Sequence, residues 1–339
     1  MKPNIFDIAT KELHQDAFIT WLIQWGNNEN ERFDRNLFLC GQEFISLLIK
    51  NQYNVDVMTI DKVEAGRQWK GIDVWAEVYT HECNYLIIIE DKTFTSEHSE
   101  QLLKYKQTGE EFCTENNFKL VCIYLKTGSE PEKDLKAIRA KGFATFSRSD
   151  FLKLLLNYAQ VTNDIFFDFK NRLERIESEH TAFGITEIGK WNDACWIGFY
   201  QFLENEIGIN TWHYVNPPGG GGFWNASLNW EDWDGFPVYL QIEQGDLCFK
   251  IATHPQEIYY EGDFNRGEKR NQWHNILISQ ATKVGLPEIK KPQRFGSGDY
   301  MTAAIVSRNI WLGKDEEVID RLLVTERLRK YKQFLKDCL

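Results

Sequence analysis

Cysteine is sparse and scattered in this chain of 339 residues: seven, at 40, 83, 113, 122, 195, 248 and 338, with no CxxC spacing. An odd number of isolated cysteines excludes a disulfide framework and a structural zinc site, and the thiols read as reduced packing residues. Histidine is no better placed. His14, His98 and His180 have no second histidine or cysteine at ligand spacing, so each reads as a surface or internally satisfied ring. No run approaches the roughly eighteen apolar residues a membrane span needs, and the N-terminal MKPNIFDIATKELHQD lacks a basic-then-apolar leader pattern, so a cytoplasmic location is expected. Positive charge is in deficit: 39 Lys and Arg face 50 Asp and Glu, a formal net charge of -11. That balance disfavours a polyanionic partner unless basic residues cluster locally or carboxylates hold metal ions. PPGGGG at 217–222 lacks the GK[ST] ending and the strand-to-helix setting of a phosphate loop and reads as a hairpin tip.

What the chain does have is period. In 10–25, Leu13, Ala17, Phe18, Trp21, Leu22 and Trp25 fall at helical spacing, with Glu12 and Asp16 four apart on an adjoining face. A second helical pattern covers 36–50, and a β-favouring stretch covers 53–64. GIDVWAEVY (71–79) and YLIIIEDK (85–92), separated by a polar turn at 81–84, read as a hairpin whose second strand is buried on both faces. A helix at 97–112, strands at 118–126 and 143–146 and a helix from Ser149 and Asp150 to about 158 complete an α/β layer with a mixed sheet. The expected division is one domain over 1–160 and an α+β domain over 161–339. The latter has helices at 163–177, 193–206, 271–284 and 315–336 around an aromatic, glycine-rich antiparallel meander with turns at 217–222, 232–235 and 244–246.

The chemistry is at the end of the hairpin. Alternate side chains of a strand share a face, so Glu90 and Lys92 point one way and Asp91 the other. Hairpin closure brings Asp73 beside Glu90 and Lys92, at what the pattern presents as one edge of the sheet. Unpaired charge at the end of a buried strand costs several kcal/mol unless something binds it. Oxygen-only ligands suit a hard divalent cation, magnesium or manganese, and an adjacent lysine can orient water and offset charge on a phosphate. Glu77 shares the Asp73 face but reads as a solvated residue near the turn, and a bulge at the strand end would turn Asp91 instead of Glu90 to the site.

Asp73, Glu90 and Lys92, set in GIDVWAEV and YLIIIEDK, resemble the PD-(D/E)XK nuclease superfamily and its restriction-endonuclease-like core over about residues 5–158. The resemblance implies that Asp73 and Glu90 are metal ligands and that Lys92 acts on the attacking water. It implies further that Glu12 is an additional acidic residue helping to hold the metal, and that Gln101 and Tyr105 match a QxxxY-like pair with Gln101 facing the site. Ile72 stands where a proline is often found, and Asp91, the middle residue of the triplet, needs a partner on the opposite face. The expected activity is Mg2+- or Mn2+-dependent hydrolysis of phosphodiester bonds in nucleic acid, with DNA the expected partner. A defence or restriction role and a homodimer are the further expectations. The alternative is a catalytically inactive nuclease fold serving as a binding or scaffold module.

Basic clusters relieve the acidic total locally: Lys104 and Lys106, RGEKR at 266–270, KKPQR at 290–294, and the closing RLLVTERLRKYKQFLK. Trp224, Trp230, Trp233 and Trp273, interleaved with polar residues, read as core residues first and as a base-stacking surface second.

Overall fold

The computed structural model describes residues 3–56, 59–96, 100–216 and 220–339, in two compact units, Met1–Glu177 and Ser178–Leu339. The first begins with α1 (Ile5–Ile8), α2 (Glu12–Trp25) and α3 (Arg35–Tyr53). Asp34 caps α3 by accepting from the Asn36 and Leu37 amides, which relieves two of the donors a helix start leaves unpaired. Gly41 lets α3 lie against α2: a Cβ there would stand 2.6 Å from the Leu22 carbonyl. The face of α2 that enters the core is Phe18, Ile19, Leu22 and Ile23, while Leu13 and Ala17 are exposed.

Strands β1 (Lys62–Trp69), β2 (Ile72–Tyr79) and β3 (Asn84–Lys92) pair antiparallel, and β4 (Phe118–Lys126) and β5 (Ala144–Ser147) add in parallel to give a sheet ordered β1-β2-β3-β4-β5. Helix α4 (Gln101–Asn116) precedes β4, α5 (Glu132–Ala140) lies between β4 and β5, and α6 (Arg148–Asn157) follows, started by a Ser147–Asp150 capping box. The alternation in β2 is regular, odd residues half-buried and even ones buried, whereas β3 is buried from Tyr85 to Asp91. Ile87 and Ile89 belong to the core shared with α2, α3 and α6, and Leu86 and Ile88 to a smaller core under α4. This is the mixed α/β layer read from the sequence, with two corrections. The strand read at 53–64 forms at Lys62–Trp69, because its register is set by pairing with β2 through the turn at Lys70 and Gly71. The charged end of β3 is at the centre of the sheet, not its edge.

Helix α7 (Asp164–Thr181) contributes Phe166, Phe169 and Leu173 to the first core. The division therefore falls after Glu177 and not at 160. The second unit holds α8 (Asp193–Ile207), an antiparallel sheet ordered β10-β9-β8-β7-β6, and further helices. Its strands are β6 (Thr211–Val215), β7 (Phe223–Trp233), β8 (Phe236–Glu243), β9 (Asp246–Ala252) and β10 (Tyr300–Val306). Helices α9 (Arg266–Val284), α10 (Arg308–Trp311) and α11 (Arg321–Asp337) complete it, around a core that includes Trp273 and Trp311. Among the described residues no helix is long and apolar enough to cross a membrane.

Candidate active site

Pairing of Val74 with Ile89 places Asp73 beside the end of β3. The backbone amide of Asp91 donates to Asp73 Oδ2 at 3.0 Å, so the strand that carries Glu90 also orients Asp73. Lys92 Nζ lies 2.5 Å from Glu90 Oε1 and 3.7 Å from Asp73 Oδ2, and it donates to the Asp91 carbonyl at 3.2 Å. Three of the residues read from the sequence therefore converge within ion-pair distance.

Glu90 is the most constrained of them. Its side chain is fully buried, and although Lys92 touches it, neither carboxylate oxygen receives a hydrogen bond of proper geometry. Burial, then the Asp73 charge, push its pKa up from 4.5 to about 7 against the pull of Lys92. Burial works against the charge on Lys92 too, but contact with Glu90 and the charges of Asp73 and Glu12 outweigh it, and the ammonium is held more tightly than usual.

Glu12, the first residue of α2, does not meet this trio directly. Its Oε1 accepts from the Thr93 amide at 2.8 Å and the Thr95 hydroxyl at 2.7 Å, clasping the segment that leaves β3. Its charge still reaches Lys92. Gln101, the first residue of α4, donates to the Tyr105 hydroxyl, which donates to the Gly71 carbonyl. The pair thus braces the β1–β2 turn two residues before Asp73. Gly71 has φ +92°, a conformation that favours glycine, and a Cβ there would lie 3.3 Å from the Tyr105 oxygen. The helix read at 97–112 is described from Gln101, and residues 97–99, His98 among them, lie outside the described residues.

Asp91 turns to the other face without a bulge, since the β3–β4 register runs unbroken to Lys92 opposite Lys126. It has the partner the sequence left open. Gln15, fully buried, donates to Asp91 Oδ1 at 2.6 Å and accepts from Thr127 Oγ1 at 2.8 Å. Asp16 is buried beside it; burial, then the charge of Asp73, raise its pKa to about 7. Burial, then the Asp16 charge, push the Asp91 carboxyl well above the ordinary carboxylate range. Sequence reasoning placed Asp16 on a face adjoining the core; the apolar stripe it used included Leu13 and Ala17, which are exposed, and so rotated the helix away from its true buried face.

Lys126 was not singled out in the sequence at all. It ends β4 beside Lys92, is buried, donates to the Thr95 carbonyl at 2.6 Å and lies 3.6 Å from Glu130 Oε2, which accepts from Tyr124 Oη at 2.7 Å. Burial pulls its pKa down. The only signal for it in the sequence is a lysine closing an otherwise apolar strand, the same pattern as Lys92.

Other candidates are absorbed by structure. Glu77 pairs with Leu86 far along the hairpin and accepts from Tyr79 Oη at 2.7 Å. His14 accepts from the Lys11 amide in the cap of α2, and His180 is buried. Trp273 is fully buried, Trp233 and Trp224 pack on the same core, and Trp230 alone of the four stays at the surface, stacked on Tyr239 at 4.1 Å. The tryptophans therefore form no common stacking surface. Arg327, Arg329 and Lys332 of α11 donate to backbone carbonyls of Trp311, Glu206, Ile207 and Gly208, so this basic helix is largely engaged in internal bonds. Of PPGGGG, residues 217–219 lie outside the described residues.

Among the described residues no three His, Cys, Asp or Glu side chains enclose a ready-made metal cage. An open site of two carboxylates fits magnesium or manganese, which keep several waters, and the two unbonded Glu90 oxygens are the donors such an ion would use. No curated protein and no solved structure matches the chain. A family model for the PD-(D/E)XK nuclease superfamily matches residues 3–201, further than the span over which the sequence resemblance was read. That match covers more than half of the chain, and with the hairpin geometry of Asp73, Glu90 and Lys92 it establishes that the protein belongs to the PD-(D/E)XK nuclease superfamily.

Proposed function

We propose that the first unit is a divalent-metal-dependent nuclease that hydrolyses phosphodiester bonds of DNA. Membership of the superfamily suggests a nuclease, since its members generally cut phosphodiester bonds with divalent metals. The observation that carries the reading for this chain is Glu90: a fully buried carboxylate beside Asp73 whose one charged partner is the Lys92 ammonium at 2.5 Å. One ammonium against two carboxylates leaves a net negative charge at the end of a buried strand, which is costly unless a further cation joins them.

Asp73 and Glu90 would hold the ion, and Glu12, with one oxygen committed to Thr93 and Thr95, would help hold it from the surrounding water shell through the other. A bound magnesium or manganese ion supplies the charge that polarises the phosphate and makes water more acidic. The protein's own part is positional. Lys92 remains an ammonium, because the neighbouring carboxylates outweigh its burial; it therefore donates hydrogen bonds, orienting the attacking water and offsetting charge on the phosphoryl oxygens. The Asp91 amide fixes Asp73, and the Gln101–Tyr105–Gly71 brace fixes the turn from which β2 departs.

The test is cleavage of single- and double-stranded DNA by wild type and Lys92→Ala with and without Mg2+ or Mn2+. Metal-dependent cutting by the wild type alone is expected. Equal cutting by both proteins, or none of any nucleic acid by either, would sink the catalytic reading, and binding without cutting would leave a scaffold module in its place. A role in defence and a dimer that cuts both strands are proposals of the same standing, the second checked by sedimentation with and without duplex.

A further inference from the structure

Two basic clusters some twenty residues apart in the sequence meet in the second unit. Arg270, buried on α9, donates through Nη1 to the carbonyls of Phe295 and Gly296, at 2.6 Å to the first, and its guanidinium carbon lies 3.7 Å from the Phe295 ring centroid. Lys291 Nζ packs on the same ring at 4.6 Å, and His274 meets it edge-on at 5.2 Å. Arg270 thereby pins the 290–296 loop to the helix, and the loop presents Lys290, Lys291 and Arg294, all exposed. Among the described residues none of Arg270, Lys290, Lys291 and Arg294 has a carboxylate within ion-pair distance, whereas Arg266 and Lys269 on the same helix are paired with Asp299 and Asp234. From 266 to 294 there are seven Lys and Arg against two Asp and Glu, the reverse of the chain's balance.

We propose that the α9 face and the 290–296 loop form a binding surface for the phosphate backbone of nucleic acid, with Lys290, Lys291 and Arg294 as the contacting cations and Arg270 as the residue that positions them. A chain with a net charge of -11 repels a polyanion at long range, so an unneutralised basic patch is the part of the surface to which a phosphate backbone is electrostatically complementary. Burial disfavours the Arg270 charge, and the two carbonyls and the aromatic ring around it compensate without neutralising it. Backbone contact of this kind carries no sequence information; it holds the substrate while another part of the protein acts. The proposal rests on the nuclease reading for its ligand class.

The experiment uses the full chain carrying Asp73→Ala, without divalent metal, and a fluorescent DNA duplex of about 30 base pairs titrated over a range of salt concentrations. The same protein with Lys290→Gln, Lys291→Gln and Arg294→Gln is the comparison, its thermal midpoint confirming the fold. The logarithmic salt slope should become shallower by about 0.9 per lost contact, about 2.7 for three, which weakens binding about a hundredfold near 0.15 M salt. An unchanged slope and affinity would overturn the proposal while leaving the cleavage results untouched. A failure of metal-dependent cleavage would overturn the nuclease reading while leaving the slope untouched. Calorimetry with inorganic phosphate is the second arm: weak, unsaturated binding is expected, and tight phosphate binding lost in the triple variant with no change in the duplex slope would mark a free-anion site and overturn the proposal.

Discussion

Replacing Glu90 with glutamine removes a fully buried charge that only the Lys92 ammonium offsets. The folded carboxyl titrates near 7 against an ordinary 4.5, because burial and Asp73 outweigh Lys92. A group whose pKa is raised by folding favours the folded state fully below its unfolded value and loses that advantage as the pH rises through the folded one. Relative to acid, the wild-type carboxylate therefore costs about 3 kcal/mol by pH 8, since each tenfold change in an ionisation constant is worth about 1.36 kcal/mol. Glutamine does not titrate but buries an amide, so Glu90→Gln should exceed the wild type by about 2–3 kcal/mol at pH 8 and match it near pH 4. For a unit of this size the gain corresponds to roughly 4–12 °C in the unfolding midpoint. The assay is metal-free thermal unfolding of both proteins between pH 4 and 8. Manganese should then stabilise the wild type by about 2.7 kcal/mol at a hundredfold excess over Kd, raising its midpoint, and leave the variant unmoved. A variant less stable than the wild type at pH 8 would refute the claim that burial and Asp73 outweigh the Lys92 contact at Glu90 in the metal-free protein.

Gln15→Leu strips the bond from Asp91 and the acceptor from Thr127; it should destabilise by about 1–3 kcal/mol in denaturant titration and slow cleavage by loosening α2 against the end of β3. Lys126→Met frees the Thr95 carbonyl and with it the clasp on Glu12, and should weaken Mn2+ binding by about 10–100-fold in calorimetry, as loss of a group that orients a ligand does. An unchanged Kd would show that Glu12 is held without it. Tyr105→Phe breaks the brace between Gln101 and Gly71; single-turnover cleavage should slow by about tenfold while manganese affinity stays within about twofold, since a loss of about 1.4 kcal/mol in positioning is a factor of ten.

The hairpin was the most legible part of the chain. Its alternation, its polar turn and the switch from apolar to charged at Glu90 fixed the register of β2 and β3, and that register alone brought Asp73 to Glu90 and Lys92. What sits around them was less legible. Asp16 and Gln15 are polar residues within an amphipathic helix; the apolar spacing put Asp16 on an adjoining face and gave no sign of Gln15, yet both are buried, and Gln15 is the donor to the buried Asp91 carboxyl. Helix α5 escaped notice because it is only nine residues long and mostly polar, with Ile138 its one buried residue. Long-range pairing decided the rest: Glu12 turned to Thr93 and Thr95, and the cations of α11 to carbonyls of Glu206, Ile207, Gly208 and Trp311, through contacts that no local pattern encodes.

The central claim is that Asp73 and Glu90 share a divalent cation, and a crystal soaked with manganese tests it most directly. The account predicts an anomalous peak about 2.0–2.2 Å from oxygens of both carboxylates, with Lys92 Nζ moved off Glu90, and no such peak in Asp73→Ala. Manganese bound only at exposed carboxylates elsewhere, with the Lys92–Glu90 contact intact, would contradict it.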